Sequence, residues 1–450
     1  MVVKYVITIA VMLVIMIVQY KHYHHLLAAP VVYPVMWMLA FVGLIIAGDT
    51  FYEVSTGTCV VFVAGYVLFC FGFKVAEVIK KPRYAEGRQT TDEYAIDYDV
   101  NDQRLGLNIV TGICVFTGLA YALLMVKMID FGDLYQSLLR IRSSIKYGEV
   151  QIPYLLTILR YFIRCSLWYI SLQLFRIPWN SNKKDKEGYD IRLDLIVRIA
   201  IILASGLFIV IADFSRNDIL FTFLPVLFIY ILSRRLSDRK CIVFLFTAFI
   251  VFSVFFIWFK EYKNGTLDEE FDAEDAQDRY IQYLSGSLVA FDVKIKSENL
   301  KLVSKNGGQG RYTLSLIYAF RDMFLGTNDT PSVIRDRSQI GFKPTTITNV
   351  YTIYDWTGMD YGLLYALFWQ IMLGIMYGIL YFETLKQRMG ATFWYSVLSY
   401  PLVIMFFQDQ FFSISQSWFI IISICYGIFF ICNKATVKIR SIEYRVKSNT

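Results

Sequence analysis

Charge is scarce in this chain: Asp, Glu, Lys and Arg together make up 18% of its 450 residues, where a soluble domain carries about a quarter. Histidine is scarcer still, with three residues confined to one HYHH string, His22, His24 and His25. That string has no carboxylate or thiol beside it in sequence, so it makes no case for a metal site. The seven cysteines, Cys59, Cys70, Cys114, Cys165, Cys241, Cys425 and Cys432, form no CxxC pair and no ligand spacing. They read as small core residues within apolar segments. No internal repeat is visible, so the inverted halves of many transporters have no counterpart here. The net charge of +7 does not point to nucleic acid, because the basic residues are scattered over short loops between apolar runs.

Apolar runs fill the space that charge leaves. Hydrophobic residues make up 56% of the chain, mean hydropathy is +0.48, and several runs are long enough to cross about 30 Å of hydrocarbon. A large soluble helical core would need polar stripes, and most of these runs are apolar on every face. The sequence therefore predicts an all-α polytopic membrane protein with about eleven spans, ten to fourteen being the range the pattern allows. The spans are placed at 2–20, 31–48, 54–73, 107–126, 153–175, 192–212, 217–233, 241–259, 361–382, 391–408 and 415–432. The first is read as a retained span, since it lacks a small-residue cleavage site. The expected organisation is eight spans over 1–259, a hydrophilic segment over 260–360, three spans over 361–432 and a basic tail over 433–450.

Basic loops at 80–88, 182–186, 233–240 and 384–388 and the tail at 434–447 then share one face. Loops at 48–53, 213–218 and 408–416 on the other face carry almost no Lys or Arg. By the positive-inside rule the basic face is cytoplasmic, and the long segment lies outside. A second external stretch, 127–152, has Leu134, Leu138, Ile141 and Ile145 at helical spacing with Arg140, Arg142 and Lys146 between them. It reads as an amphipathic interfacial helix, or as a basic shelf for an anionic headgroup.

On that exported face no histidine and no cysteine is expected, which removes imidazole bases, thiol nucleophiles and the usual zinc ligands. Chemistry there has to rely on Arg, Lys, Asp, Glu, Tyr and hydroxyls. The long segment supplies Arg279, Arg311, Arg321, Arg335, Arg337 and Lys343. Its acidic run, LDEEFDAEDAQD at 267–278, lacks the alternation and glycine of a calcium loop and reads as solvated. Arg216 and Asp218 stand where a span begins, a costly place for a guanidinium unless it pairs, snorkels or meets phosphate. Its planar charged fork suits a pyrophosphate, and pairing with Asp213 or Asp218 is the structural alternative. Arg160 and Arg164 share a helix face deeper in a span, facing either a carboxylate or an anionic lipid. Tyr280, Tyr283, Gly286 and Phe291 could stack on a sugar ring or simply line the core.

Three segments taken together resemble the bacterial oligosaccharide repeat-unit polymerases of O-antigen, capsule and exopolysaccharide synthesis, the Wzy-type enzymes. They are SRNDILFTFLPVLFIYILSRR (215–235), YLSGSLVAF (283–291) and NVYTIYDWTGMDYGLLY (349–365), the last leading into a helix with Gly374 and Gly378. The closing helices around FFQDQFF are similar as well. The order holds across roughly 210–432, while the first half agrees only in being a set of spans.

The resemblance implies a GT-C-like membrane glycosyltransferase that uses no metal or other cofactor. Its reaction would move a growing glycan from undecaprenyl pyrophosphate onto the next lipid-linked repeat unit, at the outer face of the bacterial cytoplasmic membrane. The implied partners are the donor and acceptor lipids and the bilayer, with a polysaccharide chain-length regulator as a further candidate. A pyrophosphate leaving group needs charge stabilisation more than a proton, and the acceptor hydroxyl gains from a carboxylate base. Exported carboxylates near the membrane are Asp218, Asp292, Asp355, Asp360 and Asp409. The expected catalytic residues are Arg216, Asp218 and Asp360. Arg279, Tyr283, Arg311, Arg321, Asn349 and Tyr351 are expected to bind pyrophosphate or sugar. An O-antigen ligase is one alternative, weakened because ligases commonly place a histidine beside arginine in this loop. A flippase or transporter for lipid-linked sugars is the other. Tyr351, Tyr354 and Trp356 also fit an aromatic belt at the membrane surface.

Overall fold

The computed structural model describes residues 2–86, 100–126, 137, 152–177, 190–213, 216–264, 273–297, 310–327, 329, 337–344 and 346–448. For 81–86, 100–102, 208, 210–213, 216, 256–264, 273–279 and 433–448 it describes the backbone alone. The expected external helix at 127–152 lies almost wholly outside these residues, as do the loop at 182–186, Arg335 and the first part of the acidic run.

Helices account for nearly all of the fold, as a chain in lipid must satisfy its backbone groups internally. In order they are α1 (Val2–Tyr23), α2 (Ala29–Ala47), α3 (Thr56–Glu86), α4 (Val100–Val126), α5 (Tyr154–Arg176), α6 (Ile191–Asp213), α7 (Arg216–Arg234) and α8 (Asp238–Asn264). There follow α9 (Ala273–Lys296), α10 (Ser315–Leu325), α11 (Tyr354–Tyr361), α12 (Leu363–Leu385), α13 (Met389–Val397), α14 (Ser399–Ile404) and α15 (Ser415–Ser448). Two short strands, β1 (Ser338–Gln339) and β2 (Ile347–Thr348), pair antiparallel with Ser338 opposite Thr348.

Among the described residues eight helices are long and apolar enough to cross a membrane: α1, α2, α3, α4, α5, α7, α12 and the first part of α15. The chain is an all-α polytopic membrane protein. The other stretches expected to span, 192–212, 241–259 and 391–408, are helical too, the last broken into α13 and α14. All seven cysteines are buried and none forms a disulfide, as core residues would be.

The chain forms two compact units, 1–89 with 237–391 and 398–416, and 90–236 with 392–397 and 417–450. The polar segment 260–360 is therefore no separate domain. Its helices α9, α10 and α11 are built into the first unit with α1–α3 and α12.

Glycine sets how closely α3 and α12 approach. A Cβ on Gly72 would lie 2.1 Å from the Ile371 carbonyl oxygen, and one on Gly374 would lie 2.1 Å from that of Phe69. Gly378 meets Ala76 in the same way, at 2.5 Å. With lipid as solvent there is little hydrophobic drive between helices, so close backbone packing of small residues does the joining.

The ends of the first unit are chemically distinct. At one end Lys4 pairs with Glu53 (2.8 Å), Tyr52 N–H donates to Ile340 O (2.9 Å), and Lys296 donates to Glu53 O (3.1 Å). The start of α1, the 48–55 loop, the end of α9 and the β pair thus share that end. The other end gathers His22, Lys74, Glu77, Lys80, Glu383, Lys386 and Arg388. Of the loops expected on one face, 80–88 and 384–388 supply Lys80, Lys386 and Arg388 to this end.

In the second unit Gly106 lets α4 touch α15 at Cys432, and Gly118 lets it touch α6 at Ser205. Buried Arg198 is satisfied by Asp194 (2.7 Å), Asn108 (2.7 Å) and Thr111 (3.2 Å).

Candidate functional site

Three stretches far apart in sequence meet in the first unit: 283–294 on α9, 349–362 with α11, and the 405–413 loop after α14. Ser287 Oγ donates to Phe406 O (2.9 Å), Ile353 N–H donates to Met405 O (2.9 Å), and Tyr283 stacks on Phe407 with centroids 4.3 Å apart. On the opposite side of α9, Ser285 Oγ donates to Ala40 O of α2 (2.8 Å), in the space left by Gly43. The small residues of YLSGSLVAF therefore allow α9 to dock between α2 and the loop.

Segment 349–362 is buried rather than superficial. Tyr354 is 0% exposed, and its hydroxyl reaches Tyr33 Oη (3.1 Å), against Gly65. Gly65 lies nine residues into α3, about 14 Å along that helix at 1.5 Å per residue. Tyr351 and Trp356 are also buried, Trp356 edge-on to Tyr312 at 5.3 Å. The aromatic-belt reading of these three residues is overturned: they are core side chains, Tyr354 and Trp356 on α11 and Tyr351 just before it.

Charge is concentrated at this junction. Lys294 Nζ donates to Asp355 Oδ1 (2.5 Å) and stands 4.2 Å from the centre of the Tyr351 ring. Asp355 is 1% exposed. Asp409 is fully buried; its Oδ1 accepts the amides of Phe411 (2.8 Å) and Phe412 (3.1 Å), while Oδ2 has no hydrogen-bond partner among the described residues. Burial raises the Asp409 carboxyl, the two amides offset part of that, and nearby Asp355 adds to the rise, ending at about 7.

Asp292 shows the opposite balance. Burial alone would raise it, but donors from Lys296 (2.7 Å), Ser55 (2.5 Å) and Thr58 (2.6 Å) hold it below its ordinary value.

The residues nominated from sequence fall into distinct settings. Asp360 accepts from Tyr312 N–H, from Thr313 N–H (2.7 Å) and from Thr313 Oγ1 (2.7 Å), so it ties α11 to the turn that opens α10. Asp218 is the counter-ion of Arg164 (2.6 Å), which also bonds Thr222 Oγ1 (3.1 Å) and lies over Phe221. Of the two options for Arg164, pairing with a carboxylate is the one observed. Arg216 opens α7 and Arg279 lies in α9; the side chains of both are outside the described residues.

Arg311 and Arg321 are brought together. Arg311 donates twice to Asp329 O (3.0 and 2.7 Å), and Arg321 pairs with the Asp329 carboxylate while lying over Tyr318. Both guanidinium side chains are about half exposed. Tyr283 belongs to the loop junction, Tyr351 Oη meets Ser338 Oγ (2.5 Å), and Asn349 is exposed beside β2.

Lys294 was not singled out from sequence. The signal available was weak: the i,i+4 pairing of Asp292 with Lys296 was legible on α9, but Asp355 lies 61 residues beyond Lys294. His22 does meet a carboxylate, Glu77 (3.0 Å), supplied by α3. Among the described residues no group of three or more His, Cys, Asp or Glu side chains could hold a metal.

No family model, curated protein or solved structure matches the chain.

Proposed function

We propose that this protein is a bacterial polysaccharide polymerase. It transfers a growing glycan from undecaprenyl pyrophosphate onto the next lipid-linked repeat unit at the outer face of the cytoplasmic membrane. The observation that carries the reading is the junction itself. Two of the three segments behind the resemblance, with the FFQDQFF loop, are hydrogen-bonded to one another around a buried charged set. Ionisable groups enclosed in a membrane protein are costly, and function is the usual reason they are kept.

Arg311 and Arg321 support the reading independently. Two half-exposed guanidinium groups converge on one carboxylate, a geometry in which a diphosphate can take the place of Asp329. In the reaction the acceptor hydroxyl oxygen bonds to the anomeric carbon as the bond from that carbon to the pyrophosphate oxygen breaks. The electron pair leaves with the pyrophosphate, whose charge the arginines balance, and the acceptor's proton passes to a carboxylate.

Purified protein given a lipid-linked repeat unit should yield a product ladder spaced by one repeat. Arg216→Ala and the Arg311→Gln/Arg321→Gln pair should lose the ladder while the protein still accumulates. A single transferred product would replace this reading with a ligase. No product, with transport of the lipid-linked sugar in liposomes, would replace it with a flippase.

A further inference from the structure

Helix α10, SLIYAFRDMFL, exposes apolar side chains although it is no membrane span. At 1.5 Å per residue it is about 16 Å long, far short of the roughly 30 Å of hydrocarbon. Ile317, Met323, Phe324 and Leu325 are 60–76% exposed. With Phe320, the first three fall within about a third of the helix circumference. Ser315 and Asp322 lie on the opposite side, where Ser315 is buried. The helix is closed at its far end. Gly326, at φ 66°, donates its N–H to Asp322 O (2.9 Å). The Asp322 carboxylate accepts Thr327 Oγ1 (2.6 Å) and Asp329 N–H (2.9 Å). The chain turns back there, so the apolar face does not continue into a longer span.

The start of α10 fixes its depth. Ser315 Oγ lies 2.8 Å from the Oγ of Ser415, the first residue of the α15 span, and donates to Phe412 O (3.2 Å). The Phe412 ring stands edge-on to Trp369, with centroids 5.1 Å apart, and Trp369 is in the second turn of the α12 span. Just before that span, Asp360 holds the amides of 312–313. On α12 the exposed residues Leu364, Tyr365, Phe368 and Met372 form one stripe at helical spacing, the side that lipid covers. Trp369, four residues after Tyr365 and three before Met372, borders that stripe. α10 therefore begins beside a lipid-facing surface, level with the first turns of a span.

We propose that α10 is an interfacial helix whose residues Ile317, Phe320, Met323 and Phe324 lie among acyl chains just below the lipid headgroups. A short helix with an apolar arc and a polar back is suited to that layer. Lipid is its partner because the helix starts where the α12 stripe is already in lipid. Arg321 flanks the arc, so its stem can cover apolar surface while its charge stays at headgroup level with Asp329. This anchoring stands whether or not the arginine pair takes a diphosphate.

Ile317→Cys, Met323→Cys and Phe324→Cys, each labelled with an environment-sensitive fluorophore, would test it on the full chain in phosphatidylcholine vesicles. The native cysteines are buried, and treated wild type gives the background. Each label should emit to the blue, lose most of its emission to lipid carrying a nitroxide in the upper acyl chain, and keep it in iodide. Phe368→Cys on the α12 stripe sets the lipid standard, and the fluorophore coupled to glutathione sets the water standard. Adding Ile317→Asp/Phe324→Asp should move the Met323→Cys label to the water standard. The Phe368→Cys label in that same background should stay in lipid, which checks that the fold is kept. Labels open to iodide at all three positions would place the face in water and overturn the proposal. Labels shielded from both quenchers would also overturn it, giving the face to protein, either a second copy or another part of this chain. Ile317, Met323 and Phe324 are exposed, so the single-cysteine variants decide the matter even if the aspartate pair fails to accumulate.

Discussion

Asp409 gives the most exacting test of the junction, because its carboxyl is displaced from 3.8 to about 7 and it lies in the loop between α14 and α15. The sign follows from proton binding. Between those two values the unfolded chain has lost the proton while the folded chain keeps it, so stability falls as pH rises. Above about 7 both states are ionised and the loss is complete. At about 1.4 kcal/mol per pH unit the displacement withdraws on the order of 4 kcal/mol across that window. Asp409→Asn removes the ionisation and keeps a carbonyl for the Phe411 and Phe412 amides. The new amide nitrogen stands where Oδ2 had no partner, a cost of about 1–3 kcal/mol that does not depend on pH. The slope, not the offset, therefore carries the test. The assay is denaturant unfolding of the detergent-solubilised protein, followed by tryptophan fluorescence from about pH 3.5 to about pH 8.5, a range that brackets the titration. The Asp409→Asn variant should gain on wild type in stability up to about pH 7 and level off above it. Parallel curves would refute the buried, half-ionised carboxylate.

Three further outcomes are expected. Lys294→Met removes the cation that Asp355 pairs with in the buried junction, which should cost about 3–5 kcal/mol; adding Asp355→Leu should recover part of it in the same unfolding assay. Gly374→Val would drive a side chain into the Phe69 carbonyl and should prevent accumulation of folded protein in membranes, whereas Gly427→Ala, facing open space, should accumulate normally. Asp218→Asn tests whether that carboxylate reacts or only balances Arg164. If it only balances, Arg164→Gln/Asp218→Asn should regain the product ladder that Asp218→Asn weakens; no recovery would return Asp218 to the catalytic candidates.

Spans were legible because they depend on local composition. An all-round apolar run has few alternatives in lipid, and the helices lie close to where hydropathy puts them. That the 80–88 and 384–388 loops share an end was legible for the same reason, since Lys and Arg distribution is read directly from the chain. Partner choice was not. Asp355 joins Lys294 across 61 residues, Arg164 joins Asp218 across 54, and Glu383 collects Lys80 from another helix. Nothing in the spacing of one segment encodes the facing segment. The aromatic residues of 349–362 misled for a related reason: tyrosine and tryptophan at the head of an apolar run suit an interface belt as well as a buried core. The deciding residue was Gly65 on α3, where the absent side chain makes room for the Tyr354 hydroxyl.

The structure also separates residues that frame a site from residues with capacity left for chemistry. Asp360 has three donors from 312–313 and is bound up in joining α11 to α10. Asp292 has donors from Ser55, Thr58 and Lys296, which favour its ionised form and make it a weak base. Asp218 and Asp355 each hold a cation. Asp409 keeps a buried oxygen without a hydrogen-bond partner among the described residues, and burial raises its carboxyl to about 7. A general base works best with a pKa near the working pH. Its full burial adds a condition: substrate can meet Asp409 only if the 405–413 loop shifts from Ser287 and Ile353, the contacts that close the junction. If Asp409 is the base, the motif around 349–362 frames the site, and the loop beside it admits the acceptor.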